Sequence, residues 1–356
     1  MARTGERVTL QVGDKLFGGW KSVSIRMSLE KVAGSFDVTA SESWTKGGQL
    51  VTAPLRAGDG VVAMVDGETV VTGYIDAAEP FYSTSDAGTK VRGRDRTADL
   101  VDCSADETEL LGQKLPRIAA DLCKPFGIPV RVVGWDGGPA FAKYAVDPGE
   151  TVARAIEDAC RQVGAMMWTD GLGTLLLGRP VGGAYAGTLR LGEHIIEASG
   201  GDDHTNRFSE YHVTAGKDSD SGVWDQGGHL VEAEARDGEI RRYRPLTLSV
   251  EAELPGAATA AQRAAWEARV RRARGLKRSL KVQSWRSPTG LIWRPGLTLD
   301  IDDRRLGGGR LMVSEVGLDR SKQGTFASLQ VVPEGAFEPL AEGQKADKAK
   351  GGDAWK

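Results

Sequence analysis

Apolar side chains at every second position, in short runs closed by glycine-containing turns, most constrain what this chain can fold into. That period buries one face of a β-strand and leaves the other in water. Val8, Leu10 and Val12 show it first, followed by Val23, Ile25, Met27 and Leu29, and then by Phe36, Val38 and Ala40. Val61, Ala63 and Val65 face Thr69, Val71, Gly73 and Ile75 across Asp66-Gly67, a pair suited to the positive φ angles of a tight hairpin. Glycine makes up 47 of 356 residues without a Gly-X-Y period, which fits many tight turns and excludes a collagen-like rod. Residues 1–104 are therefore expected to form a first β-barrel domain.

The period then changes. Leu111, Leu115, Ile118, Ala119 and Leu122 recur at helical spacing, with Pro116 in the first turn and Gly127 beyond the end. Thr151 opens a second helix carrying Val152, Ala155, Ile156, Ala159 and Val163 on one stripe, with Gly164 as its C-cap. Met166 to Trp168 and Thr174 to Leu176 form a hairpin about Asp170-Gly171, so 105–180 is expected to be a small α/β module. Strand patterns return over 188–213 and 240–250, around a polar loop at 217–228 that is expected to be mobile. A helix is expected over 258–274, with Trp266, Val270 and Ala273 as its apolar stripe. Strands follow at 281–285, 297–301, 311–316 and 326–332, giving a second β-barrel region over 181–333. The polar end, 334–356, is expected to be a flexible tail. The fold class is α+β, mainly β: two β-barrel-like domains with a small α/β module and a connecting helix. A chain of this length exceeds what one core usually serves.

Forty-six basic and 49 acidic side chains leave a formal charge of -3, without the strongly basic balance common in nucleic-acid binders. Cys103, Cys123 and Cys160 are odd in number and widely spaced, which fits assembly in a reducing cytosol. No stretch approaches the roughly 20 apolar residues that span a bilayer, so no membrane insertion is expected. Nucleophile elbows, phosphate loops, zinc-protease helices and calcium loops have no match in the sequence. Gly171-Leu172-Gly173 lies between two strands and reads as a hairpin turn, since a dinucleotide loop must join a strand to a helix. His194, His204, His212 and His229 match no ligand spacing. Asp202-Asp203 and Asp302-Asp303 read as solvated loop acids. No catalytic, cofactor-binding or metal-ligating residue is assigned.

The strongest electrostatic feature is the stretch 263–281. Arg263, Arg269, Arg271, Arg272, Arg274, Lys277, Arg278 and Lys281 face one acid there, Glu267. On a helix, Arg271, Arg274 and Arg278 would form a ridge away from the Trp266 stripe, free to bind an acidic partner. The acidic stretch from Asp225 to Glu239 would answer it within an oligomer. Trp20, Trp44, Trp135, Trp224, Trp285 and Trp293 are candidate interface anchors, with a core role equally open.

The run from Val91 to Ser104, with Arg92-Gly93-Arg94-Asp95-Arg96-Thr97-Ala98-Asp99-Leu100 at its centre, resembles the signature closing the first barrel of Mu-like phage baseplate hub proteins. The resemblance continues in Gly18-Gly19-Trp20-Lys21-Ser22-Val23, Gly34-Ser35-Phe36, Asp147-Pro148-Gly149-Glu150-Thr151-Val152, Arg241-Arg242-Tyr243-Arg244-Pro245-Leu246 and Gly290-Leu291-Ile292-Trp293. It reaches to about Pro333. Physically, Asp95 or Thr97 can cap a short helix and Gly93 permits a sharp strand exit. The family, similar also to the hub of larger contractile phages, implies a homotrimer whose two barrel-like domains per subunit build a pseudo-sixfold ring. Such a ring adapts a six-fold tail tube to a three-fold central spike and holds no cofactor. Implied partners are further copies of the chain, the spike, the tail tube or a tube-terminating protein, baseplate wedge proteins and the tape measure protein. Implied locations are the virion tail baseplate and, during assembly, the host cytoplasm. A tail-borne cell-wall hydrolase and a nucleic-acid-binding module are the alternatives, the second resting on the basic helix alone.

Overall fold

The structure is a computed structural model and describes residues 6–41, 43–44, 50–51, 55–84, 87–180, 182–216, 231–251, 258–306 and 308–344. The loop expected at 217–228 lies outside them. Among them the alternating runs become β1 (Val8–Val12), β2 (Lys15–Phe17), β3 (Trp20–Ser28), β4 (Ser35–Ser41), β5 (Ser43–Trp44), β6 (Leu50–Val51), β7 (Gly60–Val65), β8 (Glu68–Tyr82) and β9 (Ala87–Asp95). Asp66 and Gly67 join β7 to β8 with φ of 50° and 84°, as the hairpin signal requires.

The middle of the chain gives α1 (Ala98–Asp102), β10 (Glu109–Lys114), α2 (Leu115–Cys123), β11 (Val130–Val133), β12 (Ala140–Ala145), α3 (Val152–Val163), β13 (Met166–Thr169) and β14 (Leu175–Gly178). The last part gives β15 (Tyr185–Arg190), β16 (Ile195–Gly200), β17 (Glu210–Gly216), β18 (Val231–Arg236), β19 (Pro245–Glu251), α4 (Ala260–Gly275), β20 (Arg278–Val282), β21 (Thr298–Asp302), β22 (Arg310–Ser321) and β23 (Gly324–Pro333). The protein is mostly β with few helices, as its α+β class implied.

The two strand-rich regions are not separate bodies. One 13-stranded sheet runs β16-β20-β23-β22-β3-β4-β9-β8-β7-β1-β2, with β21 and β15 branching from β22. The join is β3 against β22, where Met27 faces Val316 and Ile25 faces Leu318. A register shift between Val313 and Glu315 marks where the edge of β22 passes from β21 to β3. Consequently one core holds Leu10, Ile25, Phe36 and Val91 together with Leu189, Leu280, Val316 and Leu329. Trp285 and Trp293 lie fully inside it, their indole N–H groups donating to Phe326 O at 2.9 Å and Ser284 O at 3.1 Å. Each such ring buries a large apolar area, and its polar edge is satisfied.

The α/β module has its own core, built from Leu115, Ile118, Leu122, Phe141, Val152, Ile156, Leu175 and Leu177. Thr151 caps α3 by accepting from Arg154 N, and Gly164 closes it at φ 67°. The hairpin of β13 and β14 reaches back to the large sheet. Thr72 N donates to Gly171 O at 2.8 Å, and the half-buried Arg294 guanidinium donates to Asp170 O and Thr69 O. Burial holds the Arg294 pKa below its ordinary value.

Asp95 sits where the two bodies meet, 1 % exposed. Its Oδ2 accepts from Gly34 N (2.9 Å) and Thr169 Oγ1 (2.8 Å), and its Oδ1 accepts from Thr97 N (3.1 Å) and touches Thr97 Oγ1. Thr97 Oγ1 also lies 2.6 Å from Val32 O, which can only accept. One hydroxyl proton cannot serve both contacts at once, so a proton on Asp95 would complete the set. Burial pushes its carboxyl pKa up in the same sense. Asp95 is thus a tie between strand, loop and hairpin; Thr97 holds the cap position of α1 without a side-chain capping bond. Gly93 allows no strand exit. It lies within β9, where an added Cβ would stand 2.2 Å from Tyr74 O and 2.3 Å from Phe36 Cζ.

Three other expectations change. Leu111, read at helical spacing, lies instead in β10, because Glu109–Lys114 pairs with β12 and leaves it exposed; the helix starts at Leu115 with Pro116 in its first turn, as expected. Strand β18 went unforeseen, since its alternating positions Ala233 and Ala235 are only weakly apolar. The tail expected to be flexible is docked as far as Gln344. Ala336 and Phe337 are buried with Trp168, Met312 and Val332, while Glu342 N and Gly343 N donate to Arg161 O and Gln162 O. Those carbonyls belong to the last turn of α3 and have no partner within it. Residues 345–356 lie outside the described residues.

Two outcomes follow from these contacts. Phe337→Ala is expected to cost about 3 kcal/mol in urea unfolding; a change below about 0.5 kcal/mol, the usual scale of surface substitutions, would leave the tail merely resting on the surface. Asp95→Asn is expected to cost about 1–3 kcal/mol at acid pH, where Thr97 N faces an amide donor. The folded state keeps a proton on Asp95 that the unfolded chain releases above its ordinary value of 3.8, so wild-type stability falls as pH rises through the raised pKa. The gap between wild type and variant should therefore narrow with rising pH, and parallel curves of Tm against pH would remove the neutral-acid assignment.

Candidate assembly surface

Helix α4 begins at a capping box in which Thr259 Oγ1 accepts from Gln262 N and Gln262 Oε1 accepts from Thr259 N. Ala260, Ala264, Val270 and Ala273 are its buried positions; Trp266 is half-buried and donates through Nε1 to Glu338 O at 2.7 Å. The same buried face carries an acid, Glu267, 3 % exposed. Burying a carboxylate demands partners. Arg263 and Arg271, one turn away on either side, supply them at 2.8 Å and 2.6 Å.

That clamp overturns the expected arginine ridge. Arg271 is spent on Glu267 and stacks on the Phe208 ring at 5.6 Å. Arg274 donates to Ala336 O at 3.0 Å and lies over Phe337. Arg278 is not helical at all, since α4 ends at Gly275, and its guanidinium donates to Leu276 O (2.6 Å), Gly201 O (2.9 Å) and Leu306 O (3.0 Å). The three do not share one face. Helical spacing was extended past the helix end, and each side chain holds its own subunit together.

Asp237 and Glu239 of the acidic stretch are answered within the chain too. Arg207, 0 % exposed, donates to Asp237 at 3.0 Å and contacts Asp202 and Glu239, while Arg272 reaches the other oxygen of Glu239. Asp237 is itself buried. Nothing in the local sequence marks Arg207; its importance comes from three acids brought from positions 202, 237 and 239.

Surface left for partners is mostly sheet edge. At the ends of the large sheet, β2 pairs only with β1 and β16 only with β20 among the described residues, leaving backbone groups for another chain. Leu16 on β2 and Ile196 on β16 are 66 % and 44 % exposed. Tyr82, Tyr243, Leu111 and Leu191 are also outward. The tryptophans point the other way. Trp285 and Trp293 are core, Trp20 and Trp135 are packed against the two main cores, the Trp44 side chain is not described, and Trp224 lies outside the described residues.

The candidate chemical groups are scattered. His194 contacts Glu193, His204 contacts Asp202 and His212 contacts Glu210, each separately; His229 lies outside the described residues. Among the described residues no set of three or more His, Cys, Asp or Glu could hold a metal ion. Asp303 Oδ1 accepts from Arg305 N and Leu306 N, Asp302 pairs with Arg190, and Asp203 accepts from Thr205 N. Gly171-Leu172-Gly173 is the tip of the β13–β14 hairpin, held by Asp170 Oδ1. Cys103, Cys123 and Cys160 are free thiols; burial pushes Cys123 up to about 12 and Cys160 higher still.

The chain matches known families over most of its length. Residues 7–95 match the family described as Mu phage baseplate assembly protein GpP-like, N-terminal; residues 97–179 match Baseplate hub protein gp44-like, second domain; residues 256–340 match Mu phage baseplate assembly protein GpP, fourth domain. It is 31% identical over 358 residues to the baseplate hub protein gp44 of Escherichia phage Mu, covering 98% of this chain and 93% of that protein. The fold is similar to the 43 kDa tail protein of prophage MuSo2 from Shewanella oneidensis, with TM-score 0.82 and 29% identity over 94% of this chain and 100% of that one. It is also similar to a tail protein of Neisseria meningitidis MC58, with TM-score 0.77 and 25% identity over 95% and 99%. A component of the Escherichia coli type VI secretion system shares the fold at TM-score 0.54 and 13% identity, over 94% of this chain and 80% of that one.

Removing Arg207 as Arg207→Ala strands Asp237 in the interior, with an expected cost of about 3–5 kcal/mol. Urea midpoints with an unchanged slope would measure it. A loss under about 1 kcal/mol, the scale of an exposed pair, would mean that water reaches the site.

Proposed function

Because the chain belongs to the baseplate hub family of Mu-like phages, we propose that it works as a homotrimeric ring between the tail tube and the central spike. It is a structural hub protein of the phage tail baseplate. The observation that carries the trimeric reading is the single curved sheet that unites two strand-rich regions in each subunit. Three such subunits present six strand-rich regions around one axis, a count that suits a six-fold tube on one side and a three-fold spike on the other. The free edges β2 and β16 support ring closure, since they are different surfaces and can meet head to tail.

The work of such a ring is binding and load transfer, with further copies of the chain, the spike, the tail tube or a tube-terminating protein, wedge proteins and the tape measure protein as its partners. Assembly takes place in the host cytoplasm. No specific observation favours a cell-wall hydrolase. The nucleic-acid alternative rested on the basic helix, and Arg263, Arg269, Arg271, Arg272 and Arg274 of that helix are engaged within the subunit.

Light scattering of the purified chain, alone and mixed with its spike, is expected to give a trimer in at least one of the two conditions. A stable dimer in both would overturn the reading.

A further inference from the structure

Arg278 gathers chain segments that are distant in sequence. Its guanidinium bonds Gly201 O, Leu276 O and Leu306 O, so the 200–204, 276–278 and 303–306 segments meet at one point. The loop between β18 and β19 joins them, because Arg241 and Arg242 line one shallow cleft with Leu276, Asp202 and Glu239. On these segments Arg241, Arg242, Lys277, Arg304 and Arg305 are all exposed. None of the five side chains has a hydrogen bond or an ion pair among the described residues. Asp303 lies beside Arg305, but its Oδ1 is taken by two backbone N–H groups. Unlike the arginines of α4, these five cations have no partner among the described residues.

The occupant has to be anionic, and its charges have to be sparse. Asp202 and Glu239 line the same cleft as Arg241 and Arg242, so this face mixes both signs and offers a phosphate backbone no continuous run of cations. An acidic protein loop needs no such run. Tyr243, 78 % exposed next to Arg242, adds apolar contact of the kind protein partners use.

This chain presents such a loop. At the end of the α/β module Asp106, Glu107 and Asp147 are exposed and have no ion pair among the described residues. They lie together, because Val146 N donates to Thr108 O at 3.1 Å and Ala105 N donates to Glu150 O at 2.8 Å. We infer that the face bearing Arg241, Arg242, Lys277, Arg304 and Arg305 docks the acidic module end, Asp106, Glu107 and Asp147, of a second copy of this chain. The inference rests on the homotrimeric reading above and names its electrostatic contact. Two different patches, each used once per neighbour, make a head-to-tail contact, which closes into a ring.

The test uses the full chain under the condition that yields the trimer. One variant carries Arg241→Glu, Arg242→Glu and Arg304→Glu, a second carries Asp106→Lys, Glu107→Lys and Asp147→Lys, and a third carries all six. Far-UV circular dichroism matching wild type verifies folding, since these side chains hold nothing in their own subunit among the described residues. Sedimentation is expected to show trimer dissociation strengthened on the order of a hundredfold in each triple variant, because like charges then face each other. The six-fold variant regains the trimer, with polarity reversed. If both triple variants stay as trimeric as wild type, or if the six-fold variant fails to recover, the docking surface is wrong while the trimer stands. A wild-type chain that is never trimeric overturns both. Salt-dependent binding of duplex DNA, lost with the three arginines while the trimer persists, assigns the face to nucleic acid and also overturns the inference.

Discussion

The backbone pairing of β3 with β22 brings residues near 25 and near 318 into one ladder, and the rest of the architecture is arranged around it. Because Ile25, Met27, Val316 and Leu318 turn to the same side, the two ends of the chain must share a core. A slip of one residue by β3 would turn Ile25 and Met27 outward, and the same slip by β22 would turn out Val316 and Leu318. The register shift by Ser314 lets one long strand serve β21 and then β3, and Ser314 anchors it by donating from its hydroxyl to Gln330 O. With both ends fixed in one sheet, the α/β module becomes an insertion. Its hairpin tip is bonded to β8 through Thr72, and Asp95 ties its base.

A buried ionisable group is used three times as a fastener, each time with its partners complete. Asp95 joins sheet, loop and hairpin; Glu267 fixes two arginines along α4; Arg207 gathers Asp202, Asp237 and Glu239. Such groups add little net stability compared with apolar packing, but a wrong register would leave a charge without a partner in the interior. They make alternative packings costly.

The sequence disclosed the elements that depend on local chemistry. The Asp66-Gly67 hairpin, the Thr151 cap and the Gly164 close of α3 all stand where their side chains required. What stayed hidden depends on distant partners. Period-two alternation says that Met27 is buried but not that Val316 lies opposite, so the joining of the two barrel-like regions in one sheet was not legible. Helical spacing cannot show that Glu267 turns inward, and with it Arg271, or that α4 stops before Arg278. Ala336 and Phe337 were averaged into a lysine-rich end, although two apolar residues with a waiting pocket suffice to dock a segment. The resemblance in the 91–104 run identified the family correctly, while the physical roles of Gly93 and Asp95 emerged only from their neighbours across the sheet.

The shared ladder also sets an order in time. The partner of β3 lies almost 300 residues downstream (23–28 against 315–320), so a chain growing from its N-terminus holds that edge open until nearly all of it has been made. Ribosomes add on the order of 5–20 residues per second, which leaves the edge uncovered for many seconds in every newly made subunit. A chain that stops early keeps it uncovered permanently. Such fragments carry an open strand edge in place of a finished subunit, because the strand that covers β3 is among the last two to be made.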